Sequence, residues 1–125
     1  MKLNYPKNFD NPDILFSTEE NFLQLSGKSI SSDPELVFRP LMDTINLHFA
    51  SNTTLVCEIK LEYFNSRSAK ALIQLIQLLT TYHNKGFSIK VSWYYENDDD
   101  DCREFGEDLQ SIVDMPVDLI RIESF

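Results

Sequence analysis

Residues 55–95 read LVCEIKLEYFNSRSAKALIQLIQLLTTYHNKGFSIKVSWYY. They open with Leu55, Cys57, Ile59, Leu61 and Tyr63 at every second position, with Glu58, Lys60 and Glu62 between them. A period of two puts alternate side chains on opposite faces, so the stretch is expected to be a half-buried strand with the odd positions inward. After Asn65-Ser66-Arg67-Ser68 the period changes. Leu72, Leu75, Ile76, Leu79 and Tyr82 fall on one side of a helix, opposite Lys70, Gln74, Gln77 and Thr81. Gly86 is placed to close that helix, and Phe87, Ile89, Val91 and Trp93 alternate with polar residues as a second strand. Strand, helix and strand in succession make a crossover unit, whose strands run parallel with a right-handed link.

Working outward, Ile14 to Ser17 and Asn21 to Ser26 read as a hairpin around Thr18-Glu19-Glu20, with Gly27 ending its second strand. Residues 1–12, rich in Asn, Pro and Lys, are expected to form a loose arm ahead of a single domain over residues 13–125. SISSDPELVF offers a helix start: Ser32 or Asp33 as cap, Pro34 in the first turn, and Glu35 three residues after Ser32. Pro40 disfavours continuation through Arg39, so a kink or two helices is expected, the second from about Pro40 to Phe49. Cys102, Phe105, Leu109, Ile112 and Val113 mark a third amphipathic helix, and Pro116 precedes a last strand, Val117 to Ile122. The expected fold is α/β, a single-domain mixed β-sheet flanked by helices.

The 125 residues suffice for one domain with a real core, and 42% of them are hydrophobic. A formal charge of −9 repels phosphate backbones and anionic lipid surfaces, so neither nucleic acid nor a membrane is an expected partner. Basic protein surfaces suit it better. Two cysteines, Cys57 and Cys102, do not make a secreted disulfide framework, and MKLNYPKNFDNPD lacks the apolar stretch of a signal peptide. A reduced, cytoplasmic setting is expected.

Enzymatic chemistry finds little support in the residues. An EF-hand loop beginning at Asp98 would need Gly where Arg103 stands and Glu where Leu109 stands. The run Asp98 to Asp101 suits the positive start of a helix, although an acidic-site, divalent-metal-dependent hydrolase is an alternative. His83 falls in the last turn of the crossover helix, some 20 Å or more from Ser66 at about 1.5 Å per residue, too far to act as its base. His48 has no place fixed by the sequence. Three glycines in total leave no room for a phosphate-binding loop, and no Cys or His spacing suggests a metal or cofactor.

The join between strand and helix carries two hydroxyls and neither Gly nor Pro. Ser66 lies just past a strand end and just ahead of a helix, where a phosphate would meet unpaired N–H groups and the positive end of the helix dipole. Arg67 and Lys70 are within sequence reach of it. The plain alternative is that Ser66 or Ser68 only caps the helix, leaving a constitutive adaptor.

Three stretches resemble one family. LEYFNSRSAK, residues 61–70, is similar to the strand-to-helix signature of the SiaC-like regulatory phosphoproteins, a Leu, an aromatic, then Asn-Thr-Ser-Ser before a helix. WYYENDDDDCREFGEDLQSIVDMPVDLI, residues 93–120, resembles their carboxy-terminal signature of Trp-x-Tyr-Glu, an acidic run, Gly-Glu and a late Pro. SGKSISSDPELVFRPL, residues 26–41, is similar to a diverged form of their Pro-Glu-Asn helix start. The resemblance runs from about Phe22 to the end. It implies a sheet-and-helix fold like that of anti-sigma-factor antagonists (STAS-like) and no catalytic activity or cofactor. It further implies a hydroxyl modified by a cognate Ser/Thr kinase, restored by a metal-dependent serine phosphatase, and a diguanylate cyclase of biofilm and c-di-GMP signalling bound in the bare state. Ser66 takes the phosphoacceptor position, Asn65 precedes it, and Ser68 is a neighbouring hydroxyl. Arg67 stands where the family has a small Ser, and Leu36 where it has Asn, departures that bear on which partner is bound.

Overall fold

A computed structural model describes residues 3–125. Five strands, β1 (Asp13–Ser17), β2 (Phe22–Ser29), β3 (Thr54–Phe64), β4 (Ser88–Glu96) and β5 (Val117–Ile122), form one sheet in chain order. Helices α1 (Glu35–Ser51), α2 (Ser66–Asn84) and α3 (Asp100–Ile112) fill the connections. β1 pairs antiparallel with β2, and β2 to β5 run parallel. The chain therefore adopts the expected α/β class, with a mixed, helix-flanked sheet and the crossover between β3 and β4.

Register sorts the strand residues into two faces. Leu23, Cys57, Val91 and Val117 form one row across the sheet, and Leu25, Ile59, Trp93 and Leu119 another on the same face. Helix residues Leu41, Ile45, Leu72, Leu75, Ile76, Leu79 and Leu109 join these strand residues in one core. Three right-handed crossovers stepping in one direction put all three helices on this face. The opposite face carries Gln24, Glu58, Ser92 and Asp118. There Glu58 accepts hydrogen bonds from Gln24 Nε2 and the Tyr94 hydroxyl, each at 3.1 Å, and lies 3.5 Å from Lys60 Nζ. Burial pulls its carboxyl up, but those hydrogen bonds and the Lys60 charge outweigh it and hold the group below the ordinary carboxylate range.

Four local readings are corrected by the structure. The first concerns the end of β2, which continues past Gly27 to Ser29. Gly27 adopts φ +84°, a conformation costly for side-chain-bearing residues, and the pairing shifts there: Gly27 faces Leu61 while Lys28 faces Tyr63. Glu62 is thus an extra residue in β3, and such a bulge reverses the alternation beyond it. This gives the second correction. Tyr63, expected inward, is 58% exposed, and Phe64 turns in instead, its ring centroid 5.7 Å from that of Trp93 and 5.0 Å from that of Phe105.

The third is the cap of α1. Pro34 occupies the N-cap position without a side-chain cap bond, and Ser31 Oγ, not Ser32 or Asp33, accepts from the Asp33 N–H at 3.0 Å. The fourth concerns one of the two alternatives at Pro40, the division into two helices: Pro40 lies inside one helix spanning Glu35–Ser51. An interior Pro costs about 3 kcal/mol by removing one helical bond and crowding the carbonyl four residues back. That carbonyl belongs to Leu36 on the exposed side, while Val37, Phe38, Leu41 and Ile45 remain fully packed across the site. Burial of four large side chains, each contributing about 1.5–3 kcal/mol, exceeds the cost.

α2 ends at Asn84 and Gly86 closes it as expected: the Gly86 N–H donates to the His83 carbonyl, and its φ of +99° turns the chain so that the Phe87 N–H reaches that of Tyr82. Trp93 is core, 1% exposed, its Nε1–H donating to the Cys102 carbonyl at 3.0 Å. The Ile14 N–H of β1 donates to the Tyr5 hydroxyl, and ahead of the strand Asn11 Nδ2 donates to the Pro6 carbonyl. No helix among the described residues is long and apolar enough to cross a membrane.

Packing against α3 supplies a test. A β-carbon at Gly106 would lie 2.6 Å from Trp93 Cδ1 and 2.7 Å from Leu119 Cδ2. Gly106→Ala is expected to destabilise the chain by about 1–3 kcal/mol, read as a lower urea midpoint at unchanged slope; an unmoved midpoint would contradict this packing.

Candidate functional site

The parallel strands end together. Ser29, Phe64 and Glu96 finish β2, β3 and β4 on one edge of the sheet, and the segments leading into α1, α2 and α3 meet there. Between β3 and α2 the join is a single residue, Asn65, extended at φ −84° and ψ 176°. Its side-chain oxygen accepts from the Ser68 N–H at 2.8 Å, so Asn65 caps α2 and neither serine does. Its amide nitrogen donates to the Ser31 carbonyl at 3.0 Å, and its own N–H to the Ser29 carbonyl at 3.1 Å.

These bonds decide what each hydroxyl can do. Ser66 is the first residue of α2, exposed to solvent, and its Oγ makes no hydrogen bond among the described residues. Ser68, two positions on, is 0% exposed and its Oγ accepts from Ser29 Oγ at 2.7 Å. One hydroxyl is presented and the other is a core contact. Arg67 is exposed but not idle: its Nη1 donates to the Ser32 carbonyl at 2.7 Å. Lys70, one turn beyond Ser66 on the same side of the helix, is exposed and forms no ion pair among the described residues.

Two concavities flank the join. One, of about 250 Å³, lies towards the start of α1 and is lined by Ser32, Asp33, Glu35, Arg67 and Lys70 among others. Its two cations and two carboxylates balance. The other, of about 290 Å³, lies between Glu62, Tyr63 and Phe64 on one side and Asp99, Asp101 and Cys102 on the other. The acidic run therefore borders the same edge of the sheet as Ser66, a proximity that spacing along the chain does not reveal.

Within that run Asp99 Oδ1 accepts from the Cys102 N–H at 3.0 Å as the cap of α3, and Asp100 pairs with Arg103 at 3.4 Å. Among the described residues no three His, Cys, Asp or Glu side chains converge as they would around a metal ion. Burial first, and then the Asp99 charge, pushes the Cys102 thiol up to about 11, so it stays protonated near neutral pH. Burial pushes Cys57 up to about 12. His83 lies in the last turn of α2, at the far end from Ser66. His48 is buried, its Nε2–H donating to the Thr54 carbonyl at 2.8 Å and its Nδ1 lying 2.9 Å from Thr18 Oγ1. Thr54 begins β3 and Ser66 follows its end, roughly 30 Å of strand away. Neither histidine reaches Ser66.

The arrangement is that of a small α/β module presenting one solvent-facing serine at a strand-to-helix junction on the carboxyl edge of its parallel strands. The model of the SiaC family regulatory phosphoproteins matches residues 5–122, and the chain belongs to that family. It is 23% identical over 115 residues to an uncharacterized protein of Pseudomonas aeruginosa strain UCBPP-PA14, covering 91% of each chain. Among solved structures it superposes on a chain in the crystal structure of the diguanylate cyclase SiaD in complex with its activator SiaC from Pseudomonas aeruginosa. That match has a TM-score of 0.87 at 21% identity and covers 97% of this chain and 100% of the other. Apo-SiaC of the same organism gives a TM-score of 0.83 at 23% identity, covering 94% of this chain and 97% of its own. At these identities the likeness is one of fold.

The geometry separates cap from acceptor. Asn65→Ala is expected to lower stability by about 1–2 kcal/mol, whereas Ser66→Ala stays within about 0.5 kcal/mol, both read by urea titration. Equal losses would mean that the Ser66 hydroxyl shares the capping.

Proposed function

We propose that this chain is a non-catalytic, cytoplasmic signalling protein switched by reversible phosphorylation of Ser66, and that its bare form binds and controls a diguanylate cyclase. The observation that carries this is the contrast between the two hydroxyls of the join: Ser66 is exposed and unengaged among the described residues, and Ser68 is buried and bonded. Family membership supplies the expectation of a regulated phosphate. The fold match to SiaC, which activates SiaD in the complex noted above, supplies the partner class.

In chemical terms a kinase joins Ser66 Oγ to the γ-phosphorus of a nucleoside triphosphate; the β–γ bridging P–O bond breaks and the hydroxyl proton leaves to base. A metal-dependent phosphatase reverses this with water, which adds to phosphorus as the serine ester oxygen departs. Both catalysts are separate proteins on this reading.

The effect on binding follows from charge and bulk. Phosphate adds about −1.5 to −2 charges at one point of a docking surface without any need to refold the domain. A partner fitted to the bare hydroxyl must then bury or expel a hydrated dianion. A penalty of about 3 kcal/mol corresponds to more than a hundredfold in affinity.

Ser66→Ala is expected to accept no phosphate from the cognate kinase while still binding the cyclase. Calorimetry on a chain carrying phosphoserine at 66 is expected to show affinity for the cyclase at least about a hundredfold weaker than for the bare chain. Phosphate transfer to Ser66→Ala, or equal affinity of the bare and modified chains, would overturn the proposal.

A further inference from the structure

We infer that Arg67 carries the state of Ser66 to the segment between β2 and α1: in the bare chain its guanidinium holds the Ser32 carbonyl, and a phosphate on Ser66 draws it off. The inference rests on phosphorylation of Ser66 as proposed above, and it concerns what that phosphate does inside this chain.

Residues 31–34 are held against the start of α2 by two side-chain bonds. Asn65 Nδ2 donates to the Ser31 carbonyl at 3.0 Å, and Arg67 Nη1 to the Ser32 carbonyl at 2.7 Å. Asn65 is committed twice over, since its oxygen also caps α2. Arg67 has no second protein partner among the described residues, and its side chain stands in solvent. Both residues flank Ser66, and Arg67, with one bond against two, is the weaker-anchored of the pair.

Competition for that guanidinium is one-sided. The Ser32 carbonyl is a neutral acceptor and takes one N–H of the fork here, whereas a phosphate dianion carries the opposite charge and accepts two in parallel from the planar guanidinium. Lys70, one turn from Ser66, is the second cation available and needs to break no ion pair among the described residues to turn towards the phosphate. Once Arg67 has moved, Ser32 loses its tether. Asp33 and Glu35 then line a groove from which a compensating cation has been drawn away.

The segment concerned is also the one that starts α1. Ser32 and Asp33 are exposed, and α1 has no side-chain cap. Its first turn is held by backbone bonds, from the Leu36 N–H to Asp33 at 3.3 Å and from the Val37 N–H to Pro34 at 3.0 Å. A start without a cap is the kind of element that opens locally when a neighbouring contact is withdrawn. A partner touching both Ser66 and the start of α1 would thus meet a changed charge and a loosened surface at the same time.

The test uses the full chain with phosphoserine installed at position 66 during translation, so that no kinase is needed. Amide hydrogen exchange over residues 32–37 is expected to speed up at least about threefold on phosphorylation. In Arg67→Ser the same amides are expected to exchange fast already and to change little with phosphate. Phosphorus NMR titration reports the contact itself: the second phosphate pKa is expected below its ordinary value of about 6 in the native chain, and higher in Arg67→Ser. Unchanged exchange on phosphorylation, an equal response in Arg67→Ser, or matching phosphate titrations would overturn the inference. If any of these occurs while the phosphorylated chain still loses its cyclase, the switch at Ser66 stands and only the role of Arg67 falls. Retained cyclase binding would instead remove the switch itself.

Discussion

One amide side chain fixes the geometry on which everything else depends. Asn65 turns its oxygen to the start of α2 and its nitrogen to the carbonyl of Ser31. The first bond satisfies a helix N–H that would otherwise need water or a hydroxyl. The second ties that helix start to the segment entering α1. With Asn65 as cap, Ser66 is released from structural duty and points to solvent. A serine in the cap position would face the helix backbone and be a poorer acceptor for any modifying enzyme. The division of labour between two adjacent residues is the physical basis of the proposed switch.

The edge on which this happens is prepared further back in the chain. The conformation of Gly27 and the extra residue Glu62 shift the β2–β3 pairing near its end. Phe64 is thereby turned onto Trp93 and Phe105, and the chain leaves the core through Asn65 with Ser66 outward. Ser29, brought opposite Phe64 by the same shift, meets Ser68 in a buried hydroxyl pair. That pair holds the first turn of α2 to the sheet. It also accounts for the unequal fates of two serines separated by one residue.

Much of this was legible in the residues. The period of two in residues 55–61, the helical spacing from Leu72 to Tyr82 and the alternation from Ile89 to Trp93 each reflect one side of an element meeting one core, and the fold follows from them. The misreadings share a cause. Tyr63 and Phe64 exchange faces because of a bulge, and a bulge is a property of two strands paired across more than thirty residues of sequence. Pro40 stays helical because its neighbours bury themselves in a core that local propensity does not describe. The choice of Asn65 over the serines as cap depends on the Ser31 carbonyl, a backbone atom with no signature in the sequence. The nearness of the acidic run to the join likewise belongs to sheet order. Asn65, Ser66, Arg67, Ser68 and Lys70 could be placed together from the sequence because the join is short. That Asn65 is the cap and Ser68 is buried could not.

The account turns on whether the phosphate state of Ser66 and occupancy by the partner exclude one another. The chain can be isolated from its own cells in two fractions, free and partner-bound, and its phosphate located in each by mass spectrometry. The expected result is phosphate on Ser66 in the free fraction, bare Ser66 in the bound fraction, and none on Ser68 in either. Equal phosphorylation of Ser66 in both fractions, or phosphate carried elsewhere with Ser66 always bare, would contradict it.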